Sequence, residues 1–469
     1  EYFGYTVAGD LENMSAVREF LHRSGVAYTD LVELVKTQFI NPHQGTLDFL
    51  ERLFSSTSMN APTVYARLVQ IEAGTLDPAN DADIMKALTA SNKRQGTSLT
   101  ASQFAQWVTN HLREFRQVIT LYEPDSKCDL ETTKLRTNKS IYTNAPTSGI
   151  SNASWSKIHR FIRLWRKLGW TIHETDLVLA ALGENDITAS AITKLESVVL
   201  LQAATKLAPN QLAVAWGSID TYGNRSLYRK LFLNKAVQQI DAAFAADAWG
   251  KYLQDDTEVL ADHQSAILAA FQMREDDLAA ILRVAKVIDD PHTRLIDSKK
   301  DVLNIANLST MYRYAMLAKA LKMRIVDLCK LIDLFGVSPF SIWNIRQQRF
   351  TNVAPDNTFK FYQLADAIKK AGFKAEVLAY ILKGALPADA KIGLDKTKVL
   401  QTAKAIRDTL AAIELNHPDT PPAPLTTEIL TAKLALTFQP EIVSRFMGIL
   451  DGTASFQTLT DTNLDVTIP

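Results

Sequence analysis

Apolar residues recur at helical spacing through most of this chain, and little in it would interrupt a helix, since 469 residues hold only 18 Gly and 16 Pro. Between Ile158 and Leu168 the apolar positions Ile158, Phe161, Ile162, Trp165 and Leu168 fall at i, i+3, i+4, i+7 and i+10. His159, Arg160, Arg163, Arg166 and Lys167 take the remaining faces. Such a stripe lets a helix bury one side and solvate the other. The same spacing recurs over Met311–Leu321, Asp276–Val287 and Tyr362–Lys370, whereas strand-like alternation is rare. The fold class expected is all-α: irregularly stacked helical hairpins forming an elongated, multi-lobed helical shell, with long polar connections and a short strand at the C-terminus.

A local unit repeats at the helix junctions. A Gly or long polar residue is followed by an apolar one, and six positions after the first a Leu opens the next helix. The instances are Gly25/Val26/Leu31, Lys206/Leu207/Leu212, Gln272/Met273/Leu278, Lys322/Met323/Leu328 and Gly372/Phe373/Leu378. Gly before an apolar residue suits a left-handed helix cap whose apolar neighbour folds back on the last turn. Lys or Gln at that place makes the cap a weaker expectation. At Gly169-Trp170 the Leu slips to 177, and Thr171–Glu174 (TIHE) supplies a capping box. The units differ too much in length for a regular repeat family.

Two stretches break the pattern. Residues 123–154 are rich in Thr, Asn and Ser and include Pro124, Pro146 and Gly149, which reads as a connection between lobes. Residues 415–427 contain Pro418, Pro421, Pro422 and Pro424 and read as an exposed loop. The division expected is 1–122 as an N-terminal helical lobe, 123–154 as a polar connection and 155–414 as the main helical lobe. A Pro-rich loop follows at 415–427, then terminal helices at 428–451 and the start of a neighbouring domain at 452–469.

Composition narrows the function. Lys+Arg and Asp+Glu balance at 51 each, which excludes the basic excess of a dedicated nucleic-acid or membrane-surface binder. The basic helix of Arg160, Arg163, Arg166 and Lys167, interleaved with Trp165 and Trp170, is the best nucleic-acid lookalike. The preferred reading puts its aromatics in the core and its arginines in salt bridges to a neighbouring acidic helix face. No stretch reaches the ~18 apolar residues of a membrane span. The start, Glu1–Tyr5, lacks the basic and apolar segments of a signal peptide, and with no initial Met the chain reads as an excised or processed piece.

No pattern carries catalysis. Cys128 and Cys329 cannot make a disulfide framework and read as buried free thiols. Of eight histidines none has metal-binding spacing; His159 and His173, flanking one hairpin, could sense pH at a helix junction but are read as ordinary surface or half-buried residues. The aspartate pairs Asp255-Asp256, Asp276-Asp277 and Asp289-Asp290 do not continue into the DDxxD of helical prenyl-transferring enzymes and read as helix-start acids. Phosphate-binding Gly loops and nucleophile elbows are absent. No catalytic, cofactor-binding or metal residues are therefore assigned, and no cofactor is expected.

Longer phrases carry a family resemblance. Ile158–Trp170 (IHRFIRLWRKLGW), Thr120–Leu130 (TLYEPDSKCDL), Ser226–Asn234 (SLYRKLFLN), Leu308–Leu321 (LSTMYRYAMLAKAL) and Tyr28–Pro42 (YTDLVELVKTQFINP) resemble, collinearly, the A component of Tc (ABC) toxin complexes. The resemblance implies a structural, non-enzymatic role: a segment of the α-helical shell that encloses a translocation channel in a pentameric, secreted, pore-forming toxin subunit. It implies as partners further copies of the subunit and the toxin's B and C components, acting at the host cell surface. Neither nucleic acid nor direct membrane insertion by this segment is expected. The alternative is a helical binding module for a host-cell receptor or glycan, displayed through 123–154 or 415–427. A helical enzyme would need a deep pocket of convergent carboxylates or a metal.

Overall fold

The computed structural model describes residues 8–55, 57–95, 99–124, 129–222, 226–234, 237, 241–245, 252–253, 257–285, 301–344, 346–347, 349–384, 395–416, 424–458 and 466–468. It is all-α: 66% of the described residues are helical, and the strands among them are confined to short two-stranded antiparallel ladders.

The helix junctions follow one local design. Gly25, Lys206, Gln272, Lys322 and Gly372 all have left-handed backbones, at φ 62°, 61°, 55°, 51° and 79°. The three non-Gly residues thus adopt the cap that their side chains disfavour. Two closures occur. At Met273, Met323 and Phe373 the apolar residue's amide reaches back to the carbonyls of Leu268 (3.1 Å), Ala318 (3.0 Å) and Ile368 (3.2 Å). At Val26 and Leu207 the amide instead bonds the hydroxyl of Ser24 or Thr205, each at 3.3 Å. In all five units the Leu six positions on makes the next helix's first bond of the i to i−4 kind, to Ala27, Ala208, Arg274, Arg324 or Lys374. Leu31, Leu212, Leu278 and Leu328 are buried there, and Leu378 packs against the same core. The capping box of Thr171 and Glu174 is also formed.

The chain divides into two compact units, Glu1–Ala385 and Leu386–Pro469. The first holds two apolar clusters. The smaller, from Leu50 to Phe115, is built by the helices Gln44–Phe54, Ala61–Glu72, Ala82–Gln95 and Ala101–Gln117. The larger gathers Met14 to Ile40, then Ile119 onward to Ala375. Residues 1–122 are therefore not one lobe, because the helices Val17–Ser24 and Tyr28–Val35 bury Phe20, Leu31 and Leu34 in the larger core.

Nor is 123–154 a free connection. Strand Lys134–Thr137 pairs with Ile119–Tyr122, and Leu135 and Ile150 join the larger core. Tyr142, on helix Asn138–Tyr142, stacks on Tyr65 of the smaller cluster with ring centroids 4.9 Å apart. The stretch looks polar because its polar groups serve buried backbone: Asn138 donates to the Phe115 carbonyl at 3.1 Å. Gly149 closes it with φ 73°, where a Cβ would meet Thr137 Oγ1 at 2.5 Å.

Helix Ile305–Leu321 departs most from expectation. It is buried on nearly every side, so no polar face accompanies the stripe at Met311–Leu321. Its Arg313, 1% exposed, donates to the carbonyls of Val214 (2.6 Å), Ser341 (2.7 Å) and Gly217 (2.9 Å), and its guanidinium lies 4.1 Å from the Phe350 ring centroid. No carboxylate pairs with it among the described residues, and burial pushes it down to about 9.

The second unit contains helices Lys396–Asn416, Thr427–Ala435 and Pro440–Leu450 and the paired strands Phe456–Thr458 and Val466–Ile468. The division thus falls inside the expected 155–414 lobe. In helix Lys396–Asn416 no residue is buried, and Val399, Ile406, Leu410 and Ile413 form an exposed apolar stripe. Pro418, Pro421 and Pro422 lie outside the described residues, and Pro424 precedes the Thr426 cap of the next helix. No described helix is long and apolar enough to cross a membrane.

Candidate functional site

The segment 214–222 is stitched into the first unit from several sides. Trp216 donates its indole N–H to Thr358 at 3.0 Å, Ser309 accepts from the Ile219 amide at 2.8 Å, and Arg313 holds the carbonyls of Val214 and Gly217. Gly217 packs so closely on helix Ile172–Ala181 that a Cβ there would stand 2.8 Å from that of Ala181. These restraints fix Asp220 opposite the first turn of the helix.

His173 lies in that turn because the Thr171/Glu174 box starts the helix at Ile172. Its Nε2 is 3.0 Å from Asp220 Oδ2, and its ring centroid is 5.5 Å from that of Tyr222. One helical turn on, the buried Asp176 accepts the amides of Gln38 (2.9 Å) and Phe39 (2.8 Å). Burial opposes the His173 charge, but the bond to Asp220, that carboxylate's charge and those of Asp176 and Glu33 outweigh it, so His173 is held above the ordinary histidine value. Asp176 is pushed up by burial against its two amide bonds.

This corner lines a cleft of about 770 Å³, bordered also by Lys36, Trp343 and Arg349. The size suits a small ligand. Bonded to Asp220, His173 is a group whose charge follows pH. No hydroxyl is hydrogen-bonded to the other ring nitrogen among the described residues.

A second titratable centre escaped the sequence reading. His263, 9% exposed, sits between two carboxylates, hydrogen-bonded through Nδ1 to Asp241 and through Nε2 to Glu258 at 2.8 Å. Burial again opposes its charge, and the two bonds raise it. The backbone beside it is laddered, Leu260 donating to Asp301 (2.9 Å) and Leu303 to Glu258 (2.7 Å). Only the acidic run ending at Glu258 hinted at this centre.

The other singled-out residues fall as follows. Trp170 is buried and donates to Gln202 at 2.9 Å, while Trp165 is half-buried. Arg160 pairs with Asp186 at 2.8 Å and Arg166 donates to the Gly25 carbonyl at 2.7 Å. Their partners are loop groups rather than an acidic helix face. His159 is half-buried and lowered by burial and by Arg163. Asp276 and Asp277 stand in the first turn of helix Glu275–Ala285, where Asp277 accepts the Arg274 amide at 3.1 Å. Cys329 is a buried free thiol, pushed up to about 12 by burial. Cys128, Asp255-Asp256 and Asp289-Asp290 lie outside the described residues. Among the described residues no cluster of three or more His, Cys, Asp or Glu could hold a metal ion.

Among known proteins, no family model matches the chain and no curated protein matches it.

Proposed function

We propose that this chain is a structural segment of the helical shell of a Tc-type toxin A component, a scaffold that shields a translocation channel rather than an enzyme. One observation supports this reading above the rest: four of the five phrases that carry the resemblance are core elements, Thr120–Leu130 being the exception with Leu130 exposed. Ile158–Trp170 buries Ile158, Phe161, Ile162 and Trp170, and Ser226–Asn234 buries Leu227, Tyr228 and Phe232. Leu308–Leu321 lies in the most enclosed helix among the described residues, and Tyr28–Pro42 buries Leu31, Leu34, Phe39 and Ile40. A likeness concentrated in packing positions points to a shared scaffold. The His173–Asp220 pair and the His263 centre give that scaffold two joints whose strength follows pH.

An antibody against the chain, used on native source material, tests the reading. The expected product is a polypeptide several times larger than 52.1 kDa, assembled as a multi-copy ring with this region in the wall around a channel. A native product of the chain's own size, with no channel-bearing assembly, overturns it.

The cleft favours a second reading, recognition of a host glycan or receptor. Tyr222, 54% exposed, together with Trp343 and Phe350 beside Lys36 and Arg349, offers aromatic faces next to charge. Glycan-array binding that is lost in Trp343→Ala supports it, and an empty array removes it.

A further inference from the structure

A second groove, of about 850 Å³, lies between the turn at 40–43, the end of helix Ala101–Gln117, the 137–149 segment and the start of helix Asn152–Leu168. In a chain whose charges balance overall, its lining is one-sided. Arg113, Arg116, Lys139, Lys157 and His43 face it, and no Asp or Glu lines it among the described residues. Two of these cations are already matched: Arg116 by Glu72 at 2.6 Å, and His43 by Glu114 at 3.5 Å. Arg113 and Lys139 are exposed, and neither has a carboxylate within salt-bridge distance among the described residues. Lys157 is half-buried, its ammonium 4.5 Å from the Phe39 ring centroid.

Behind them Arg136 adds a further cation, while the carboxylate that meets the 137–149 segment, that of Glu12, is already occupied by the Ser148 amide (2.6 Å) and hydroxyl (2.7 Å). Arg136 spends its donors on neutral oxygens, those of Ser140 (hydroxyl, 2.7 Å), Thr147 (carbonyl, 3.1 Å) and the Ala145 carbonyl. That fan of bonds fixes the 140–147 loop, so the groove is shaped before any ligand arrives. Its hydroxyls are mostly engaged: Thr143 donates to the Lys139 carbonyl at 2.7 Å and Thr137 to that of Ser148 at 3.3 Å. Recognition therefore falls to the cations. Like charges gathered in a concave, partly desolvated wall repel one another, and an anion removes that repulsion while forming charge-assisted hydrogen bonds.

We infer that this groove binds a small ligand bearing phosphate or sulfate groups, held by Arg113, Lys139 and Lys157. Its volume lies within the roughly 300–1,000 Å³ of small-molecule sites. The chemistry is that of an oxyanion carrying more than one negative charge, found either on a phosphorylated metabolite or on a sulfated sugar.

Calorimetric titration of the whole chain at low ionic strength, with inorganic pyrophosphate and separately with a heparin-derived sulfated disaccharide, tests this. Binding of pyrophosphate assigns the phosphorylated source, and tighter binding of the disaccharide assigns the sulfated one. In either case Arg113→Ala and Lys139→Ala each weaken binding about tenfold, with affinity falling as salt rises. Lys139→Arg restores most of the loss. Both sites are exposed, so Tm stays at the wild-type value, and Arg163→Ala, an exposed cation outside the groove, leaves affinity unchanged. No heat with either probe, or an equal loss in Arg163→Ala, overturns the inference.

Discussion

Asp176 caps a turn far from it in sequence: its carboxylate takes the Phe39 amide at 2.8 Å and the Gln38 amide at 2.9 Å, across 137 residues in the case of Phe39. Asp176→Ala leaves two amides unsatisfied beside the first cleft and should cost about 2–3 kcal/mol. Hydrogen exchange is the sharper readout. The Gln38 and Phe39 amides should speed up first, and a loss spread evenly over the chain would show that the bond is not a local restraint.

His173 and His263 share one sign. Each is held above its ordinary value in the folded chain. Their contribution is therefore complete below about pH 6.5, the unfolded value, and is lost as pH rises through the folded one. The difference in Tm between wild type and Asp220→Asn should be largest below about pH 6.5 and shrink as pH rises through the folded value. A difference independent of pH would mean that the pair acts through packing alone.

Arg313 is the most exacting side chain in the first unit. Arg313→Ala strands the carbonyls of Val214, Gly217 and Ser341 and opens a void under Phe350, with an expected loss of about 3–5 kcal/mol in denaturant unfolding. Arg313→Lys keeps the charge but cannot reach three carbonyls in a fork, and should recover less than half. Full recovery by Lys would show that charge, not geometry, is what the site requires.

The junctions give a test of opposite sign. Gln272 and Lys322 occupy left-handed backbone, so Gln272→Gly and Lys322→Gly should each stabilise by up to about 1 kcal/mol. Gly25→Ala and Gly372→Ala should destabilise by a similar amount. Thermal melts of the four variants decide it, and destabilisation by Gly at 272 or 322 would contradict the cap geometry.

Cys329 should resist iodoacetamide in the native chain at mildly alkaline pH, because burial keeps its thiol protonated. Peptide mass spectrometry should find it alkylated only after unfolding. Ready native labelling would place the helix Ile325–Phe335 in a looser environment than its buried Leu328 and Leu331 describe.

What could be read in advance was local. The stripe at Ile158–Leu168, the Thr171/Glu174 box and the position of Leu six residues after each junction follow from bonds between near neighbours. The two closures also follow from the residue before the cap: Ser24 and Thr205 precede the hydroxyl form, while Phe271, Leu321 and Ala371 precede the other. What escaped was contact over distance. Nothing in LSTMYRYAMLAKAL says that Arg313 is enclosed, since a lone arginine on an apolar helix more often faces water. His173 could be named but not its partner, because Asp220 is placed by a loop tied to Ser309 and Arg313, which are remote in sequence. The polar composition of 123–154 misled for the same reason, its Asn and Thr side chains serving buried backbone rather than solvent.

The five-fold recurrence of a left-handed residue followed, six positions later, by a Leu that opens the next helix separates two properties of the chain that are usually entangled. Each corner is closed by bonds within about ten residues of itself, and the helices beside it range from Val17–Ser24 to the longer Ala189–Thr205 and Ile305–Leu321. Whole turns can therefore be inserted into or removed from a helix without remaking its joint. The angle at which the chain bends and the distance it travels between bends become independent variables, each adjustable by mutation while the other is held.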